Sequence, residues 1–191
     1  MRSLPAELVL RASRDRALRS PLRRTELGYG TAGAALHELA LTGRITVAPD
    51  GILVCRAERC PDRAVDLALE RLLFAERARG PRAWVERLGA ELLDVTRAEL
   101  LTRGLLVPVR RRMLGVVPVR EYRPAAVRER DEGPAAEGPR REAWRDEVVT
   151  ELLHAVRHPC RPRPVPAHTG PITDAVASAM KAATYRLAFP G

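Results

Sequence analysis

Three consecutive arginines, Arg110, Arg111 and Arg112, are followed almost at once by Met113, Leu114, Val116 and Val117. Guanidinium groups pair bidentately with phosphate oxygens and keep their charge at every relevant pH. Apolar side chains beside them can bury shallowly where headgroups meet acyl chains, so an apolar tip ringed by cations suits an anionic membrane surface. A second arginine-dense stretch covers residues 11–24. Its Arg23 and Arg24 are the candidates to join Arg110–Arg112 in binding a lipid headgroup, provided folding brings the two stretches together. Aromatic residues make up only 4% of the chain, which leaves base stacking on single-stranded nucleic acid poorly supplied.

Other constellations carry less. His154 and His158 are spaced i, i+4 with Cys160 just beyond, a pattern that could ligate a metal. The third ligand follows a proline and no acidic partner is evident, so histidines meeting the dipole at a helix end is the better account. Cys55 and Cys60 have no matching second pair and read as ordinary thiols. Gly28, Gly30 and Gly33 fit a loose G-x-G-x-x-G, but an arginine-rich stretch precedes them where a dinucleotide fold needs a strand. Close helix packing explains them instead. Acidic residues stand mostly beside arginines at helical spacing, as solvated ion-pair faces do. No nucleophile has a plausible base, so neither enzyme activity nor a cofactor or metal is expected.

The elements that must position these residues are mostly helical. Residues 4–12 form a short candidate helix, and a small-residue-rich helix follows Thr25 to about Leu41, where Gly43 supplies the stop. Residues 45–47 and 52–54 bracket Pro49-Asp50-Gly51 as a hairpin. Asp62 caps a helix expected to run through Ala78, with Val65, Leu69, Leu72 and Leu73 on its buried face. After Gly80-Pro81, a helix from about Trp84 ends at Gly104. The β-branched runs 107–109 and 116–119, broken at Gly115, predict a second hairpin with the arginines near its turn. The segments 38–47 and 98–107 both run helix, glycine, strand, which suggests one helix-to-hairpin join used twice. Helix returns over about 144–158 and again from Thr173. The expected fold is mainly α: a compact single helical domain over residues 1–191 with two short β-hairpins, one protruding and basic/apolar. Residues 124–142 and 158–171 read as mobile connectors.

At 191 residues and 46% hydrophobic content, the chain can bury a real core. Its net charge of +9 favours anionic partners, although Lys181 is the sole lysine among 33 basic residues and such lopsided usage can reflect genome composition. The first residues lack a secretory apolar run and no stretch is long enough to span a membrane. Three cysteines fit a reducing compartment, and the expected location is cytoplasmic, peripheral on the inner face of the membrane.

Residues 33–47 (GAALHELALTGRITV), 82–88 (RAWVERL) and 100–124 (LLTRGLLVPVRRRMLGVVPVREYRP), in that order, resemble the Golgi phosphoprotein 3 family, particularly its shorter bacterial members. The resemblance covers residues 4–124 and extends to 151–155. It implies a helical domain with a protruding hairpin, peripheral membrane association and no catalysis. In the eukaryotic members it implies recognition of phosphatidylinositol 4-phosphate through a tryptophan and three arginines. Those four positions correspond here to Arg23, Ala32, Ala90 and Leu93, so none keeps its type.

The expected function is therefore non-enzymatic binding of anionic phospholipid headgroups, with Met113, Leu114, Val116 and Val117 as the insertion and an adaptor role. One alternative is a winged-helix DNA-binding protein, in which residues 92–101 would present Thr96 and Arg97 to bases, although nucleic acid is the less expected partner. Another is a protein-interaction module whose hairpin packs on a partner or on a second copy.

Overall fold

Ser3 begins the first helix by accepting a hydrogen bond from Ala6 N at 3.4 Å, and Pro5 occupies the first turn, giving α1 (Leu4–Arg14). A computed structural model describes residues 2–15, 23–113, 117–125, 139–157 and 170–188. Next comes α2 (Arg24–Leu41), buried on every side from Leu27 to His37. A helix apolar all round belongs at the centre of a core, and α1, α3 (Arg63–Leu73), α4 (Pro81–Thr102), α5 (Pro139–Arg157) and α6 (Gly170–Ala188) all pack on it.

Small residues set how closely those helices approach. A Cβ on Gly28 would lie 2.8 Å from the carbonyl oxygen of Gly89, so α2 and α4 cross at backbone contact. Gly33 admits Val176 and Leu152 in the same way, and Gly30 admits Val156. The glycine triplet is thus a packing device, as its context in the chain predicted.

Both helix-to-hairpin joins are the same structure. Gly43 and Gly104 each have φ +66, the left-handed conformation that glycine adopts at least cost. Gly43 N donates to Ala40 O at 3.0 Å and Arg44 N to Leu39 O at 2.9 Å; Gly104 N donates to Leu101 O at 3.0 Å and Leu105 N to Leu100 O at 2.9 Å. Each is a Schellman motif, and each releases the chain directly into a strand.

The first hairpin pairs β1 (Ile45–Ala48) with β2 (Gly51–Val54), Ile45 opposite Val54. The second pairs β3 (Leu106–Met113) with β4 (Val117–Pro124), Leu106 opposite Pro124 and Met113 opposite Val117. These strands are longer than the β-branched runs that announced them, because backbone pairing with the opposite strand continues through 110–113.

Other boundaries also differ. Asp62 caps α3 through Ala64 N and Val65 N, both at 3.0 Å, but the helix stops at Leu73 rather than Ala78. Beyond it, Arg79 O accepts from Ile52 N at 3.0 Å, so the chain must leave the helix to reach β2. Leu73 falls off the apolar face and is 42% exposed, while Val65, Leu69 and Leu72 are buried. Helix α5 begins at Pro139 and α6 at Gly170, both earlier than their apolar patterns suggested.

An ion pair ties three segments together across this core. Arg145 donates to Glu38 Oε1 at 3.0 Å and to the carbonyl of Arg2 at 2.7 Å, while Leu4 N donates to Glu38 Oε2 at 2.9 Å. Glu38 thereby joins the start of α1 to α2 and α5.

Candidate functional site

Helix α4 ends where β3 begins, so the second hairpin grows directly from the core. Leu106 is buried at its base, and Ala125 N closes the base by donating to Leu105 O at 2.9 Å. Arg110 and Arg112 lie farther along β3 and are exposed. Strand positions two apart share a face, so these two cations follow Leu106 and Pro108 along one side of the hairpin. The three arginines stand in the last half of β3, next to the turn, as strand residues. Arg111, Met113 and Val117 take strand positions, Arg111 opposite Val119 and Met113 opposite Val117. Leu114 and Val116 lie outside the described residues.

Register adds a further cation, since Arg120 stands directly opposite Arg110.

At the other arginine stretch, Arg23 is the residue that starts α2, makes no capping hydrogen bond, and pairs with Glu26 at 3.5 Å. Arg24 reaches across to Asp94 of α4 at 2.5 Å and is half exposed. A cation at a helix N-terminus opposes the macrodipole, so these two residues occupy a position ordinarily filled by an acid or a hydroxyl. Arg11 is engaged elsewhere, with Glu7 and Asp146. Residues 16–22 of this stretch lie outside the described residues.

The two stretches meet through a residue not singled out for lipid binding, Arg97. It stands one turn beyond Asp94 on α4, and its guanidinium lies over the ring of Tyr122, 4.9 Å from the centroid. Tyr122 is the register partner of Pro108, two positions from Arg110. Arg24, Asp94, Arg97 and Tyr122 thus form a path from the N-terminus of α2 to the base of the hairpin. Arg97 Nε is buried and finds no hydrogen-bond partner among the described residues. Burial pushes this guanidinium below its ordinary pKa and the charge of Arg24 adds to that effect, with Tyr122 and Asp94 acting the other way. Arg97 stands alone in the sequence, outside both arginine-dense stretches, and its i+3 spacing from Asp94 was the available signal.

The positions that the family resemblance pointed to divide sharply. Ala32 and Leu93 are wholly buried in the core, Ala90 is exposed beside the Gly28–Gly89 crossing, and Arg23 alone carries charge. The other chemical candidates are quiet. Burial raises the pKa of Cys60, which favours the protonated, unreactive thiol, and Cys55 is a free exposed cysteine. Among the described residues no group of His, Cys, Asp and Glu gathers to hold a metal; His158 and Cys160 lie outside them. No described helix is long and apolar enough to cross a membrane.

Fold and site together define a mainly α domain with two antiparallel hairpins, the second rich in arginine and joined to a cationic helix end. The chain matches the family model of Golgi phosphoprotein 3 (GPP34) over residues 4–184, and it belongs to that family. No curated protein matches it.

Proposed function

We propose that this protein is a non-enzymatic peripheral membrane protein that binds anionic phospholipid headgroups at the inner face of the membrane and acts there as an adaptor. The observation that carries this reading is the cationic face of the β3–β4 hairpin, with Arg110 and Arg112 exposed and Arg120 in register with Arg110. Cations gathered on one hairpin are what an anionic surface attracts. Arg111 adds a third consecutive cation, and Met113, Leu114, Val116 and Val117 are the insertion. Arg23 and Arg24 contribute charge from the helix end. Family membership agrees with this function and makes phosphatidylinositol 4-phosphate the first lipid to test.

The DNA-binding alternative needs an exposed recognition helix ahead of the hairpin. In α4, Leu92, Leu93, Thr96 and Leu100 are buried, and Arg97 is turned onto Tyr122. The face that helix exposes there carries Ala90, Asp94 and Ala98, which would bring an acid rather than a cation to the phosphates.

Co-sedimentation with liposomes at matched charge, across a salt series, tests the reading. Near an anionic surface each arginine contributes about 1 kcal/mol, so replacing Arg110, Arg111 and Arg112 with alanine is expected to weaken binding about a hundredfold. Wild-type protein that ignores every anionic liposome at low salt would overturn membrane binding. Unchanged binding by the triple variant would overturn the role of the three arginines.

A further inference from the structure

Large apolar side chains left in water gather at one end of the domain. Leu53, Leu73 and Phe74 are three of the four that are exposed among the described residues, at 47%, 42% and 82%. They belong to β2, to the last residue of α3 and to its C-cap, and α3 packs on β2. From Phe74 the chain runs on to Arg79, whose carbonyl accepts from Ile52 N at 3.0 Å, so the connection to α4 is held along the same strand. One exposed apolar residue needs no explanation, but several on adjoining elements with a charged surround mark an interaction surface. Arginines frame this one. Arg56 follows shortly after Leu53, and Arg77 and Arg79 follow Phe74; all three are exposed, and no ion pair engages any of them among the described residues. Glu76 is the one acid in 74–80. Gly80 then starts α4 without a side-chain cap and with open space around it, which leaves the positive end of a 22-residue helix facing the same side.

We infer that this end of the domain docks a short acidic segment of a partner protein, which sets an apolar residue against Phe74 and carboxylates against Arg56, Arg77 and Arg79. Charge complementarity selects that occupant. Guanidinium groups left unpaired beside an apolar patch favour a segment that brings carboxylates and repel one rich in lysine or arginine. Placement separates the surface from the membrane. Helix α4 begins beside the patch and ends at the second hairpin, so its 22 residues set the two about 33 Å apart. An adaptor needs two surfaces that do not compete, and opposite ends of one helix supply them. The inference names the partner of the proposed adaptor and rests on that reading for the adaptor role only, since the contact uses none of the residues assigned to lipid.

Random peptides displayed on phage, selected on the full chain and in parallel on Phe74→Ser and on the double variant Arg77→Gln, Arg79→Gln, test it. These variants change exposed side chains and leave the backbone bond from Ile52 N to Arg79 O in place, so the fold is kept. Wild type is expected to enrich sequences in which Asp or Glu flank Leu, Ile or Phe. The most enriched peptide, followed by fluorescence anisotropy, should bind about tenfold more weakly to Phe74→Ser and about fivefold more weakly to the double variant, and should lose affinity as salt rises. No enrichment, enrichment of basic or uncharged sequences, or equal binding by wild type and both variants would overturn the inference. Liposome co-sedimentation should be the same for Phe74→Ser as for wild type; its loss would give the patch to the membrane and overturn the protein partner. Self-association in sedimentation velocity that Phe74→Ser abolishes would give the patch to a second copy, with the same consequence. Wild-type protein that ignores every anionic vesicle yet selects acidic peptides through Phe74 would leave this inference standing and overturn the membrane reading.

Discussion

Replacing Glu38 with alanine strikes the point where three segments meet. The Arg145 side chain is 6% exposed and that of Glu38 17% exposed, so neither charge has water to fall back on. Alanine removes the acceptor of Arg145 at 3.0 Å and of Leu4 N at 2.9 Å in one step. Breaking a buried pair by deleting one member costs about 3–5 kcal/mol, most of it the uncompensated charge left behind. Total stability for a domain of this size is about 5–15 kcal/mol, so the variant should keep its fold with a much lower urea midpoint. Glu38→Gln preserves one acceptor and should lose about 1–3 kcal/mol. The double variant Glu38→Leu, Arg145→Met removes both charges and should recover much of the loss. Urea denaturation followed by circular dichroism, with equal slopes, measures all three. A Glu38→Ala variant within about 1 kcal/mol of wild type would refute the reasoning, since only an exposed ion pair is that weak.

Gly28→Ala sets a Cβ 2.8 Å from the Gly89 carbonyl oxygen, a backbone atom that cannot swing aside, and should lower stability by about 1–3 kcal/mol in the same assay. Gly43→Ala and Gly104→Ala meet nothing within 4 Å and share φ +66, so both should cost the same, about 1–2 kcal/mol, from backbone conformation alone. Unequal losses would mean that the two joins are not equivalent. Asp66 accepts from Cys60 N at 2.8 Å and from Arg59 at 2.9 Å, and the backbone bond first, then Arg59, holds its carboxyl below the usual range. Its stabilisation is present above the unfolded value near pH 4 and fades as pH falls through the lower folded value. The stability difference between wild type and Asp66→Asn should accordingly be flat above about pH 5 and narrow below about pH 4. A gap that widens in acid would contradict it.

Most of the helical framework was legible because it rests on local chemistry. Asp62 announces a helix start, Gly43 and Gly104 announce stops, and the echo between residues 38–47 and 98–107 correctly signalled a repeated join. What failed is what distant contacts decide. The helix expected to reach Ala78 ends early because Arg79 O is claimed by Ile52 N from another element. The extra length of β3 and β4 comes from each strand satisfying the other, and no residue type in 110–113 declares it. The Glu38–Arg145 pair joins residues 107 positions apart, and in a chain with 33 basic residues one arginine among many gives no hint of its burial.

The same abundance explains why the candidate site was only half visible. Clustering in sequence drew attention to Arg110–Arg112 and to residues 11–24, and the structure assigns those residues diverse fates: Arg11 to ion pairs, Arg24 to Asp94, Arg110 and Arg112 to an exposed strand face. Position in three dimensions discriminates where density cannot. An arginine in water with a carboxylate beside it is inexpensive and says little about a ligand. A desolvated arginine that stacks on an aromatic ring, beside other cations and with an unpartnered nitrogen, carries a cost that the fold alone does not relieve. By that criterion Arg97 outranks every member of the two conspicuous clusters, although it stands alone in the sequence between Thr96 and Ala98. Under the proposed function the hairpin arginines would supply long-range attraction to an anionic surface, which salt screens. Liposome binding that falls steeply as salt rises is the expected signature of that attraction, and binding indifferent to salt would count against it.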